Sequence, residues 1–211
     1  MVKQRAVMAV MGALALAVAG CGGPGQTVPM SVTAASVPAP TKVRNALRVA
    51  VVPFEDARAD KASIGRWQHY VETTVDRLVS SQGSAADQVT GFVADYLKLA
   101  GFQVTRVQPG EKVAPGSADV VLSGQIEAYW SEAVARFFHT DLKAVNRLVV
   151  KVSNAADSST VRTTLGGEGT TTVILFDLAD LEQLNSEALG QSLARFLADT
   201  AVVDRSLKPK G

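Results

Sequence analysis

The chain has 211 residues, with 21 Lys and Arg against 20 Asp and Glu and a formal net charge of +1. That balance leaves no electrostatic footprint for nucleic acid, which is excluded as a partner. A single cysteine excludes an internal disulfide framework and a cysteine-based metal site, so any exported domain here must rely on its core.

At the N-terminus, Lys3 and Arg5 form a short positive region, and Ala6 to Gly20 then run without a charge. The run is shorter than the roughly 20 residues a membrane-crossing helix needs. It matches the apolar stretch of roughly 7–15 residues in an export signal. Ala19 and Gly20 directly precede Cys21, and the string Val18-Ala19-Gly20-Cys21 resembles the lipobox of bacterial lipoproteins. The chemistry requires these residue types: a peptidase gripping extended backbone needs small side chains at the cut, and only a sulfur nucleophile carries the thioether. An ordinary signal peptide with an incidental cysteine is the alternative. The lipobox reading expects residues 1–20 to be removed and Cys21 to carry a diacylglyceryl group, usually with an N-acyl chain. Two or more acyl chains anchor stably where one does not. Loss of Lys3 and Arg5 leaves 19 basic against 20 acidic residues, a mature charge of −1. By the sorting pattern of Gram-negative lipoproteins, Gly22 rather than Asp after the cysteine points to the outer membrane, facing the periplasm. The outer leaflet of the inner membrane is the alternative.

Residues 21–46 read as the lipidated cysteine followed by a disordered tether. Pro24, Pro29, Pro38 and Pro40 stand among small residues with no acidic group and no periodic apolar face. As a flexible coil the tether would span roughly 28 Å. Residues 47–205 suffice for one globular domain, and 206–211 read as a tail. Leu47 to Phe54 is a Val-rich apolar run ended by Pro53, the pattern of a buried strand. Arg66 to Gln82 fits either a helix or a strand-like ribbon; the Thr73-Thr74-Val75 cluster favours the ribbon.

Ser84 with Asp87 forms a capping signature. Val89, Phe92, Val93 and Tyr96 repeat at helical spacing, and Gly101 stands where a C-terminal cap glycine belongs. Phe102 to Val107 follows as a strand. In Asp119 to Ala135, strict alternation puts Val120, Leu122, Gly124, Ile126 and Ala128 on one face, with Gln125, Glu127 and Tyr129 on the wetter one. Lys143–Ser153 and Ser159–Val173 pair as a hairpin; within the second, Gly166-Gly167-Glu168-Gly169 reads as a bulge or bend. From about Asp180 to Val203 an amphipathic helix carries Leu184, Ala188, Leu193 and Phe196 on its apolar side. The fold class is α/β (α+β): a two-layer domain with a mixed, largely antiparallel sheet and two helices packed on one face.

Pro53 to Arg58 (PFEDAR), Ile64-Gly65, Leu99 to Phe102 (LAGF) and Ala118 to Trp130 (ADVVLSGQIEAYW), behind a lipobox and a Pro-rich segment, together resemble the YajG-type family of envelope lipoproteins. The resemblance spans residues 47–203. It implies a fold like the N-terminal domain of TolB and of transport-auxiliary lipoproteins, and a compartment rather than a reaction.

Catalytic patterns are missing from the sequence. His69 and His139 lack metal-ligand spacing, and no nucleophile elbow occurs. No cofactor is expected beyond the covalent lipid. Glu55, Asp56 and Arg58 are the one charge cluster at a strand end, read as a ligand contact or as an Asp56–Arg58 turn pair. Trp67, Tyr70, Tyr129 and Trp130 would line a groove or fill the core. Phe137-Phe138 beside His139 mark a partner contact, or a strand edge with core phenylalanines. The expected function is a non-enzymatic binding or assembly module that meets an envelope partner through a sheet edge or the polar sheet face. The alternative is an auxiliary subunit of an ABC-type or lipid transporter that binds a hydrophobic ligand between Trp67, Tyr70 and Trp130. An enzyme using Glu55 and Asp56 is the third possibility.

Overall fold

The computed structural model describes residues 25–43, 46–71 and 74–210. The strands are β1 (Thr27–Met30), β2 (Arg48–Val51), β3 (Glu55–Asp56), β4 (Gly65–Gln68), β5 (Val75–Ser80), β6 (Gln103–Arg106), β7 (Val120–Ala135), β8 (Thr140–Asn154), β9 (Thr160–Val173), β10 (Thr200–Val203) and β11 (Ser206–Pro209). The helices are α1 (Ala85–Leu99) and α2 (Leu178–Asp199).

The spine is β7, whose apolar alternation supports 16 residues of strand. One of its edges carries β2, β3 and β4 in turn, all parallel, at Val120–Leu122, Gln125–Ile126 and Ser131–Val134. Its other edge pairs antiparallel with β8 along the whole strand, and β8 pairs antiparallel with β9. β6 flanks β2, while β5 and then β1 flank β4. The sheet is mixed, its long pairings are antiparallel, and both helices cover one face, as the sequence predicts. The ribbon reading of Arg66 to Gln82 also holds: β4 and β5 pair antiparallel from Gly65↔Leu78 to Gln68↔Val75.

Both helices start where their caps dictate. Ser84 Oγ accepts from Asp87 N (3.1 Å) and Asp87 Oδ2 accepts from Ser84 N (3.0 Å), closing a capping box on α1. Val89, Phe92, Val93 and Tyr96 face the core, and Gly101 takes the left-handed φ of 95° that ends the helix. Asp177 and Asp180 form a second box on α2, which buries Leu184, Ala188, Leu193 and Phe196. The helix stops at Asp199, short of the predicted Val203.

Four expectations are corrected. The alternation along β7 breaks at Glu127, where Ile126 faces Leu148 but Ala128 faces Arg147. This bulge shifts the phase, so Tyr129 turns inward and is buried while Ala128 joins the other face. The run from Gly166 to Gly169 is not a bend, because β9 stays in register with β8 throughout it. Gly167 and Gly169 answer the close approach of α2: a Cβ on Gly167 would lie 2.0 Å from the Ala188 carbonyl oxygen, and one on Gly169 would lie 2.7 Å from Leu184 Cδ1.

The tether reading fails for residues 27–37. β1 pairs parallel with β5, and Met30, Val32, Ala34 and Val37 are buried in the main core. The Met30 carbonyl accepts from Gln88 Nε2 (2.9 Å), and Glu182 Oε1 accepts from Ser31 N (2.6 Å), so this strap links the sheet edge to both helices. Its apolar residues lack a period because they pack among β5, α1 and α2 rather than on one face. The tail reading fails as well. Asp204 and Arg205 turn β10 into β11 with φ of 47° and 58°, a two-residue hairpin without the Gly or Asn that usually announces one. Leu207 is buried, and its N donates to Asn154 Oδ1 (2.8 Å).

Candidate functional site

Cys21 lies outside the described residues. Asp56 and Arg58 form a structural pair at the end of β3. Arg58 Nε and Nη2 donate to the Asp56 carboxylate at 2.9 and 2.8 Å, and Arg58 Nη1 donates to the carbonyls of Ser63 (2.8 Å) and Tyr129 (3.1 Å). Burial raises the Asp56 carboxyl, but the hydrogen bonds and charge of Arg58 outweigh it and hold the group below its ordinary value. Glu55 stays exposed and accepts from Gln125 Nε2 (2.9 Å). Neither carboxylate meets a histidine. His69 Nε2 lies 2.8 Å from Asp76 Oδ2, and His139 Nε2 lies 3.4 Å from Asp141 Oδ1.

The aromatic residues do not form one groove. Trp67 stands opposite Ala133 on the helix side of the sheet and packs on Phe176, with ring centroids 4.9 Å apart. Trp130 stands opposite Val145, on the other side. Tyr129 is in the core, its hydroxyl accepting from Asn185 Nδ2 (3.1 Å), and burial pushes its phenol upward. Tyr70 is exposed and lies 6.0 Å from Phe137, ring to ring. Phe137 and Phe138 are solvent-facing rather than core residues at a strand edge.

Sequence reasoning missed two carboxylates. Asp119 closes the end of the sheet where β7 begins: Oδ1 accepts from Arg48 Nη2 (2.8 Å) and Arg205 Nη2 (2.7 Å). The hydrogen bond from Arg48 is the largest influence, and with Arg205 it overcomes burial to keep the carboxyl far below the usual range. Asp76 accepts from Gln26 N (2.6 Å) as well as meeting His69, fastening the start of β1 to β5. No local pattern marks either residue: Gln26, Arg48 and Arg205 are distant in sequence, and His69 comes near Asp76 only because β4 and β5 pair.

What remains available for contact is backbone and surface. β9 (14 residues) pairs with β8 on one side and with no other strand among the described residues, although Arg195 Nη1 of α2 donates to the Gly166 carbonyl midway along it (3.1 Å). An open depression of about 530 Å³ lies on the uncovered sheet face between Glu132, Arg136, Asp141, Lys143 and Thr171. Arg136 and Asp141 pair across it (3.3 Å). Among the described residues no three His, Cys, Asp or Glu side chains converge as a metal site would need, and no helix is long and apolar enough to cross a membrane.

No protein-family model and no curated protein sequence matches this chain, so the YajG-type likeness stands on its motifs alone. Several solved structures are similar. Protein XCC0632 from Xanthomonas campestris, a DUF330 protein, has a TM-score of 0.47 at 13% identity, over 81% of this chain and 91% of that one. The PelC dodecamer from Paraburkholderia phytofirmans has a TM-score of 0.41 at 16% identity, over 74% of this chain and 93% of that one. The lipoprotein GNA1162 from Neisseria meningitidis has a TM-score of 0.38 at 14% identity, over 73% of this chain and 99% of that one.

Proposed function

We propose that this chain is a bacterial envelope lipoprotein, acylated on Cys21 and held to the periplasmic face of the outer membrane, that works by contact and not by catalysis. The outer edge of β9 carries the reading. Its unpaired backbone donors and acceptors are what an added strand from a partner protein would take up. Exposed Arg162, Thr164, Glu168 and Thr170 along it would set the partner's register. Asp56 is engaged by buried Arg58, and His69 by Asp76, in pairs within the fold. The test is photo-crosslinking in intact cells from positions 164 and 170 on β9, with position 98 on α1 as the control. Discrete adducts from β9, of which the one from position 170 disappears when Thr164→Pro disrupts the edge, with none from position 98, support the reading. Equal crosslinking from both elements, or none from β9, contradicts it.

A further inference from the structure

The described chain begins beside the β4–β5 turn. Gly25 is packed so closely on Val75 that a Cβ would lie 1.8 Å from the Val75 carbonyl oxygen, and Arg77 N donates to the Gln26 carbonyl (2.8 Å). Four peptide units separate Gly25 from Cys21. Even fully extended they reach about 14 Å, half the span expected of a free tether. Acyl chains on Cys21 would therefore hold this end of the domain close to the lipid head groups.

The same end carries an apolar fringe made by three connections. Tyr70 and Val71 follow β4, Phe137 and Phe138 join β7 to β8, and Ile174 and Leu175 follow β9. Register sets them side by side: Gln68 pairs with Val134, Ala135 with Thr140, and Thr140 with Val173. Phe137 and Phe138 are 67% and 75% exposed, and Ile174 and Leu175 are 82% and 87% exposed. Val75 borders the fringe where β5 begins, whereas Leu99 and Val203, the other exposed large apolar residues among those described, lie toward the other end of β7. Arg136 and His139 within the fringe both face Asp141, so it carries no net basic charge that would select an anionic surface. Aromatic and aliphatic side chains gathered beside an anchor point are suited to the boundary between head groups and acyl chains.

We infer that the apolar fringe at Tyr70, Phe137, Phe138, Ile174 and Leu175 seats on the lipid surface that Cys21 anchors, so that the domain stands on the bilayer by one end. This rests on the lipid-anchor reading. The test uses the full chain purified from membranes and reconstituted in phosphatidylcholine vesicles containing brominated lipid. Pyrene is attached to a cysteine introduced as Phe138→Cys, Leu175→Cys or, at the opposite end, Lys112→Cys; thioether-linked Cys21 does not react. Several-fold stronger bromine quenching at 138 and 175 than at 112 is expected. Equal quenching at all three sites overturns the inference, as does pyrene excimer emission at 138, which would show a second copy covering the fringe. Intact mass separates the two claims: a chain without lipid on Cys21 removes the anchor and this inference together, whereas a lipidated chain with an unquenched fringe removes the inference alone.

Discussion

The two ends of β7 are built from different chemistry. Where the strand begins, Asp119 binds Arg48 and Arg205, Asp157 binds Lys208, and the β10–β11 hairpin folds onto the corner. Where it ends, after Ala135, large apolar side chains stand in solvent although a packed core lies a few residues away. The first end uses its charged groups to close the fold; the second holds apolar area that intramolecular packing leaves over. On the proposed reading, that leftover apolar area is what meets the bilayer.

The comparison is sharpened by measuring what each region is worth to stability. Phe196, buried under α2, should cost about 3–5 kcal/mol when cut to Ala, through lost burial and a residual cavity. Chemical denaturation of the purified protein measures this, and Phe92→Ala should behave alike. Midway along β7, Asp56→Asn should cost about 3 kcal/mol, because it leaves the Arg58 guanidinium buried without its counter-charge. Were that residue a free ligand contact, stability would not change.

At the charged end, Asp119→Asn should cost about 1.5–3 kcal/mol, the scale of hydrogen bonds to a charged group. Its pH dependence has a definite sign. The folded carboxyl sits below its unfolded value of about 3.9, so the stabilisation is complete above that pH and is lost as pH falls toward the folded value. Wild type should therefore lose more stability than Asp119→Asn on acidification, as thermal unfolding at several pH values would show. The smallest effect belongs to the apolar end: Phe138→Ser should change stability by no more than about 0.5 kcal/mol. A large loss there would mean that the ring serves the fold after all, and the contrast between the ends would collapse.

Much of the fold was legible because its signals are local. Ser84 with Asp87 marks the start of α1, helical spacing from Val89 to Tyr96 marks its buried face, and alternation from Val120 to Ile126 marks β7. The misses depend on partners far along the chain. Met30 and Val37 look like tether residues until β5, α1 and α2 surround them. Nothing beside Glu127 announces a bulge, yet it reverses the faces of Ala128 and Tyr129. The candidate site was less legible still. Asp56 and Arg58 do pair, as one of the two readings had it, but Trp67 and Trp130 fall on opposite faces, and the exposure of Phe137 and Phe138 follows from a turn that reaches beyond the core.

On the proposed reading, a lipid anchor on Cys21 decides which end of the domain meets the membrane. Metabolic labelling of growing cells with an alkyne fatty acid, comparing wild type with Cys21→Ser, tests it most directly. Label on the membrane-bound wild-type protein and none on Cys21→Ser, which is released or left unprocessed, is the predicted result. Label retained in Cys21→Ser, or absent from wild type, would contradict it.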